Sequence, residues 1–478
     1  MEMQYFFIQF LEKKQKNGGN ISGDKNSIKG KGGVMRKVRL ILFSFLLLMM
    51  AAANARAGYY SIYGLGSRAS AMGGANIALV NDPSASYSNP GALSECGDGK
   101  LEMIVMRTFS QFNVELNDVN GDLLTQAKAK NKDWTLQDYQ NWTKNVSELT
   151  ILGIGLAMPI WKSPLLKNIE FGMSFSAPLS WAARFYFVDS KDPIFLEYFN
   201  QAQKFNIVGG MSYNIDGIFK SLGDMDIPGI SVGFGVNAFV DGNGTMKMMP
   251  TDFKLWLPYD YSIIGGVLLQ PFKTFRSQFL QDLKLGVTYH QAMMLNITFD
   301  LGIGPITGQF SSYDLYFPEE LGFGVGFVPL KNLSVDYDLV RTGWSDYKPP
   351  FTYSPPGSSI GALMGTPFDF ASYKLNDIWV HKIGAEYTMA KDYKFRLGYS
   401  FRPTPISSAM AQKANILDND TNVIAFGMGY NFTGLTVNLH SQVRMMADRT
   451  IRPGGNIIKA GGNVWSTGLT LSRNFQTK

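Results

Sequence analysis

The chain's imidazole and thiol groups are three histidines, His290, His381 and His440, and one cysteine, Cys96. They show no metal-ligand spacing and no Ser/His or Cys/His arrangement, so no metal, cofactor or catalytic residue is expected. Five cations are more suggestive. Lys284, Lys382, Arg396, Arg402 and Arg444 share one parity of alternating segments, where they could meet a ligand carboxylate or pair with Glu386, Asp336 or Asp338. Two aromatic groups stand in polar surroundings: Trp134, Leu136, Tyr139 and Trp142, then Ile194, Phe195, Leu196, Tyr198 and Phe199. Trp134, Trp142, Phe195, Leu196 and Phe199 could capture an apolar molecule, or these loops could pack on each other. Gly64-x-Gly66 followed by Gly73-Gly74 could cradle a phosphate, but no strand precedes it and no βαβ unit surrounds it, so a dinucleotide site is set aside.

The elements that must position these residues are strands. From Leu283 to Phe299 odd positions are large and apolar except Gln291, and even positions are polar or small except Met294. That is a period of two, and at about 3.3 Å per residue a single strand would be roughly 50 Å long, more than a soluble sheet uses. Phe395, Leu397, Tyr399 and Phe401 alternate with Lys394, Arg396, Gly398, Ser400 and Arg402, and Leu435, Val437 and Leu439 with Thr436, Asn438 and His440. Charge on one face and apolar groups on the other fit a transmembrane barrel with a polar lumen. On parity His381 faces lipid beside Trp379, and His290 and His440 face the lumen.

The expectation is an all-β fold, a transmembrane antiparallel β-barrel of about fourteen strands. They are placed near 99–113, 147–160, 168–187, 203–215, 229–241, 252–270, 281–300, 312–328, 331–345, 377–389, 392–402, 420–431, 433–447 and 461–475. Tight turns are expected around 390–391, 432 and 328–331, and long connections at 114–146, 345–376, 403–419 and 448–460. Closure satisfies backbone groups that an open edge would leave unpaired in hydrocarbon.

Composition agrees. The 478 residues are 45% hydrophobic, 13% aromatic and 17% charged, which excludes disorder, and one cysteine excludes a disulfide scaffold. Of 44 Lys/Arg and 38 Asp/Glu, residues 1–57 hold ten and three. The remaining chain is therefore close to neutral and offers no electrostatic footing for nucleic acid. Arg36, Lys37 and Arg39, the apolar run Leu40–Ala53 and Ala55-Arg56-Ala57 read as a signal peptide over 35–57. Residues 1–34 read as an upstream extension. Residues 58–98 are rich in Gly, Ala, Ser and Asn and lack alternation, so they are expected to fold as a plug inside the barrel of residues 99–478.

The run Gly64, Gly66, Arg68, Ala69, Met72, Gly73, Gly74, Ala75, Ala78, Asp82, Asn89, Pro90, Ala92 and Leu93 resembles the start of the FadL/TodX transporters of hydrophobic compounds. Those begin with an N-terminal hatch ending in Asn-Pro-Ala, here Asn89-Pro90-Gly91. Phe317-Pro318, Leu321-Gly322, Val335-Asp336-Tyr337, Trp344-Ser345, Lys382-x-Gly384-x-Glu386-Tyr387, Arg396-x-Gly398-Tyr399 and Pro405-Ile406 continue the resemblance. It implies passive uptake of long-chain fatty acids or aromatic hydrocarbons across the outer membrane of a Gram-negative cell. The partners implied are a hydrophobic ligand, outer-membrane lipid and lipopolysaccharide, and the barrel assembly machinery, with the protein a monomer. The family's lateral exit lies where the third strand bends, and Ala177-Pro178 interrupts the alternation of strand 168–187. The Asn-Pro pattern is also similar to PorV-like barrels that serve protein secretion.

Overall fold

The computed structural model describes residues 60–97, 99–144, 148–160, 168–179, 190–198, 206–216, 229–238, 242–248, 251–257, 261–273, 278–303, 306–350, 352–353, 372–390 and 392–475. The expected upstream extension and signal peptide lie outside the described residues, as do Phe199 and the expected strand beyond Leu179.

Fourteen antiparallel strands close into a barrel. They are β1 (Lys100–Asn117), β2 (Thr150–Pro159), β3 (Ile169–Pro178), β4 (Asn206–Asn214), β5 (Gly229–Ala238), β6 (Tyr261–Gln270) and β7 (Lys284–His290). The circle continues with β8 (Glu319–Leu330), β9 (Leu333–Gly343), β10 (Ile378–Met389), β11 (Tyr393–Arg402), β12 (Thr421–Phe432), β13 (Leu435–Ile451) and β14 (Ile457–Asn474). Each pairs with its neighbour in sequence, and β1 closes onto β14 from Lys100↔Asn474 to Asn117↔Ile457. No edge is left to present unpaired donors and acceptors to hydrocarbon.

The wall is inside-out. On β11 Leu397 and Tyr399 are exposed while Arg396, Ser400 and Arg402 are buried, and on β13 Leu439 is exposed while Asn438, His440, Gln442 and Arg444 are buried. In water this arrangement would be costly, since covering one large apolar side chain is worth about 1.5–3 kcal/mol. Facing acyl chains it costs nothing, and the polar face keeps its partners inside. Trp379 and His381 stand exposed on the outer face, His381 Nδ1 lying 2.8 Å from the Tyr337 hydroxyl, whereas His290 and His440 are buried inward.

Three expected strands each prove to be two. The run 281–300 breaks after His290, and Met293–Ile303 joins a separate five-stranded sheet with Gly242–Met248, Thr251–Leu257, Ile306–Phe317 and Thr352–Tyr353. The runs 252–270 and 312–328 divide in the same way, the latter at Pro318, which has no N–H to give. Alternation reports extended backbone and cannot tell one long strand from two that follow each other in different sheets. The connection expected over 448–460 is also shorter, because β13 and β14 extend outward and leave only residues 452–456 between them. Residues 114–146 instead hold the end of β1 and helices Asp122–Lys130 and Leu136–Lys144.

Short turns after β8, β10 and β12 share an end with the first residue of β1 and the last of β14, which in outer-membrane barrels is the periplasmic end. The helices and the added sheet crown the other end.

Candidate functional site in the lumen

Residues 60–96 are built from short turns of helix, Tyr60–Tyr63, Gly66–Ala71, Ala85–Ser88 and Pro90–Glu95, and almost all are buried. They are buried against the inner wall. A Cβ on Gly233 of β5 would lie 2.2 Å from the Pro90 carbonyl carbon, and one on Gly398 of β11 would lie 2.1 Å from the Gly73 nitrogen. Bare backbone at these points lets the segment press directly on the strands. Gly266 meets Asn89, Gly172 meets Leu93, Gly324 meets Ile77 and Gly427 meets Ala71 in the same manner, so the contact runs round the circumference. Gly64, Gly66, Gly73 and Gly74 turn the segment at positive φ, between 67° and 83°. Gly91, where the family carries alanine, has a separate reason: its Cβ would come within 2.9 Å of the Gly266 carbonyl oxygen and 3.0 Å of that of Ser231.

Polar anchors fix what the glycines admit. Asp338 accepts the Asn76 N–H at 2.7 Å and the Ile77 N–H at 3.2 Å, and Asp336 accepts the Leu79 N–H at 3.1 Å. Asn89, fully buried, accepts the Gly91 N–H at 3.1 Å and donates to the carbonyls of Ile77 at 2.9 Å and Val267 at 3.1 Å. Arg68 places Nε 3.3 Å from Glu386 of β10, whose carboxylate also holds Arg396 Nε at 2.6 Å and Lys394 Nζ at 3.3 Å. Cys96 donates to the Asp82 carbonyl at 3.3 Å, and burial followed by the Asp82 charge pushes its thiol pKa well up.

Between this segment and the wall lies a cavity of about 130 Å³. Ile62, Leu65, Ile77, Val340, Trp344 and Val380 line it, but so do Glu197, His290, Glu320, Lys382, Arg402 and Arg444. The lining is mixed, not the apolar pocket that a simple grease-binding route would show. Of the five candidate cations, Lys284 pairs with Glu95 and Arg396 with Glu386. Arg402 holds Asp418 at 2.9 Å and Glu197 at 2.8 Å, and Arg444 lies 3.6 Å from Glu197. Lys382 faces the cavity and makes no ion pair among the described residues. Asp336 and Asp338 spend their hydrogen bonds on backbone N–H groups of the leading segment.

Residues 274–448 match the family model described as outer membrane protein transport protein (OMPP1/FadL/TodX). Alkane uptake protein A of Marinobacter nauticus is 20% identical over 374 residues, covering 75% of each chain. A Pseudomonas aeruginosa FadL homologue superposes with a TM-score of 0.54 at 15% identity, over 88% of this chain and 98% of its own. The TodX deltaS2S3 mutant, a monoaromatic hydrocarbon channel, gives 0.52 at 13% identity, over 87% of this chain and 100% of its own. The family likeness lies in residues 274–448, and the solved structures share the barrel fold. The chain is a multi-pass β-barrel of the outer membrane, and the proteins it resembles are transport proteins and channels.

In this barrel the expected capture residues that are described pack into one apolar cluster. Trp142 stacks on Tyr139 at 5.6 Å with Lys130 4.4 Å over its ring, Trp134 packs on the same apolar cluster, and Phe195 stacks on Phe112 at 4.2 Å. Phe195 and Leu196 are 1% and 3% exposed, so they present no open apolar face. Pairing of β3 with β2 runs through Ile151↔Pro178, while the described pairing with β4 ends at Ser176↔Asn206. Leu179 donates to Thr150 of β2 at 2.7 Å, so by alternation the proline nitrogen faces the β4 side.

Several residues that matter here carry no motif. Glu95, Glu197 and Asp418 neutralise wall cations from loops and plug, and pairing between them could not be read along the chain. The wall glycines could have been. Gly322, Gly324 and Gly326 share lumen parity on β8, and small residues on the inner face opposite a Gly/Ala/Ser-rich segment are what a tightly seated plug requires.

Proposed function

We propose that this barrel carries hydrophobic small molecules passively across the outer membrane, with residues 60–96 acting as a hatch whose rearrangement opens the way from the lumen cavity to a lateral exit beside Pro178. The observation that carries the reading is the cavity itself, which lies inside the barrel and is lined by the plug and by residues of eight wall strands. An alkane uptake protein and a monoaromatic hydrocarbon channel among the relatives support the chemical class. A hydrophobic solute has no favourable place in lipopolysaccharide headgroups or in a water-filled pore, and burial returns about 25 cal/mol per Å² of apolar surface. The exit reading is supported by Pro178, which has no N–H to give on the β4-facing side of β3, and by the Tyr60 hydroxyl of the plug, which reaches the Ser176 hydroxyl of the same strand.

The test is uptake into proteoliposomes of radiolabelled dodecanoate, dodecane and toluene, with empty liposomes and a glycerol leak as controls. Saturable entry of at least one probe, without glycerol flux, is the expected result. Glycerol flux equal to that of an open porin, or no entry of any probe, overturns the proposal.

A further inference from the structure

Resting on the uptake reading, we propose that residues 190–198 form a strap closing the outer end of the lumen, and that Glu197 occupies, between Arg402 and Arg444, the place of an anionic headgroup on the cargo. The strap lies on the long-loop side, between β3 and β4. It is held by a two-residue parallel ladder, Ile194 N–H to the Asn415 carbonyl and Leu196 N–H to the Leu417 carbonyl, each 3.0 Å. Asp192 pins its front to the first loop, 2.7 Å from Lys130 Nζ and accepting the Tyr139 hydroxyl at 2.6 Å. Ile194, Phe195, Leu196 and Tyr198 are 1–3% exposed. Glu197 alone of these five consecutive residues lines the cavity.

The charges give the strap a chemistry. Arg402 has a second carboxylate, Asp418, at 2.9 Å, and stays neutralised if the strap lifts. Arg444 does not. Its other contacts are neutral: the Tyr198 hydroxyl at 3.1 Å, which leaves with the strap, and the Ile62 carbonyl of the plug. Lifting the strap therefore strands a buried guanidinium, a costly state unless another anion arrives. A single-chain amphiphile with a carboxylate or sulfonate head supplies that anion as it enters, and a neutral hydrocarbon of the same length does not. Because Arg444 also holds Ile62, the exchange is felt at the leading turn of the plug.

The experiment reads strap opening directly. Phe195→Cys and, separately, Leu196→Cys are placed in a Cys96→Ser background in outer-membrane fragments, and alkylation by a membrane-impermeant maleimide is timed with dodecanoate below its micellar concentration or with dodecane. Dodecanoate is expected to speed alkylation by about tenfold and dodecane to leave it unchanged, a population shift set by differential affinity for the open form. Adding Glu197→Gln should raise the rate without ligand, and adding Arg444→Gln should abolish the response to dodecanoate. Equal effects of the two probes, no effect of either, or an Arg444→Gln response like that of the parent overturns the proposal. Strap opening by dodecanoate without uptake in proteoliposomes would instead overturn the transport reading and leave the latch standing.

Discussion

Removing Glu386 should unseat the plug far more than removing its plug-side partner. Glu386 and Arg68 are each about one-tenth exposed, and Arg396 is more deeply buried. In Glu386→Ala both guanidiniums are stranded while the plug is seated, and both are hydrated once it leaves. Breaking a buried pair from one side costs about 3–5 kcal/mol, and with some lumen water the lower end, about 3 kcal/mol, is apt, which is roughly 150-fold in the seated-to-unseated ratio. In Arg68→Met the carboxylate keeps Arg396 at 2.6 Å and Lys394 at 3.3 Å, so nothing charged is stranded. The loss is then one hydrogen-bonded contact, about 1 kcal/mol or roughly fivefold. Cys96 is the natural reporter: it is the single cysteine, 7% exposed, at the end of the plug. Its burial and raised pKa both suppress thiolate chemistry, so alkylation requires unseating. Maleimide labelling in outer-membrane fragments should therefore rank Glu386→Ala far above Arg68→Met, which sits just above the parent. Heat-modifiable migration on gels should show an intact barrel in all three. Equal labelling of the two variants would refute the reasoning.

Three further outcomes are expected. Leu397→Arg puts a cation on the lipid face of β11, where Leu397 is 62% exposed, and should cost about 2–4 kcal/mol if it lies near the midplane, read by urea-induced unfolding into lipid vesicles; a loss below about 0.5 kcal/mol would contradict the lipid-facing assignment. Gly233→Ala forces a methyl to within 2.2 Å of the Pro90 carbonyl carbon, and should expose Cys96 to maleimide while the barrel keeps its heat-modifiable form; an unchanged labelling rate would refute the socket. Pro178→Ala returns an N–H to the β4-facing side of β3, where it can bond across the proposed exit, and should slow uptake into proteoliposomes several-fold. Unchanged uptake would remove Pro178 from the exit.

The wall was readable from residues because a period of two separates lipid face from lumen face whatever the fold around it. Leu397 beside Arg396, and Leu439 beside His440, show the sorting without any coordinates. The breaks at Gln291 and Pro318 were less readable, since the chain stays extended on both sides and only the identity of the hydrogen-bonded neighbour changes. Loop partners were hidden for a related reason. Ile194–Phe195 meets Ile416–Leu417 across more than two hundred residues, and two short apolar dipeptides carry no information about which finds which. Their burial matches the second of the two roles left open for the loop aromatics, loops packing on each other.

Charge placement follows the same logic from two ends. A cation on the inner face of a barrel needs a counter-charge, and the fixed wall supplies it for Arg396, from Glu386 directly opposite on the neighbouring strand. For Lys284, Arg402 and Arg444 the counter-charge comes from elements that are not part of the wall: Glu95 of the plug, Asp418 and Glu197 of the outer loops. Plug and outer loops are thereby tied to the wall by the interactions whose loss is most costly when uncompensated and least costly when another anion takes the place. Arg444 touches both ends at once, the strap through Glu197 and Tyr198 and the plug through the Ile62 carbonyl. An event at the outer mouth and an event at the plug's leading turn therefore share one side chain, and coupling between them needs no longer path than a guanidinium.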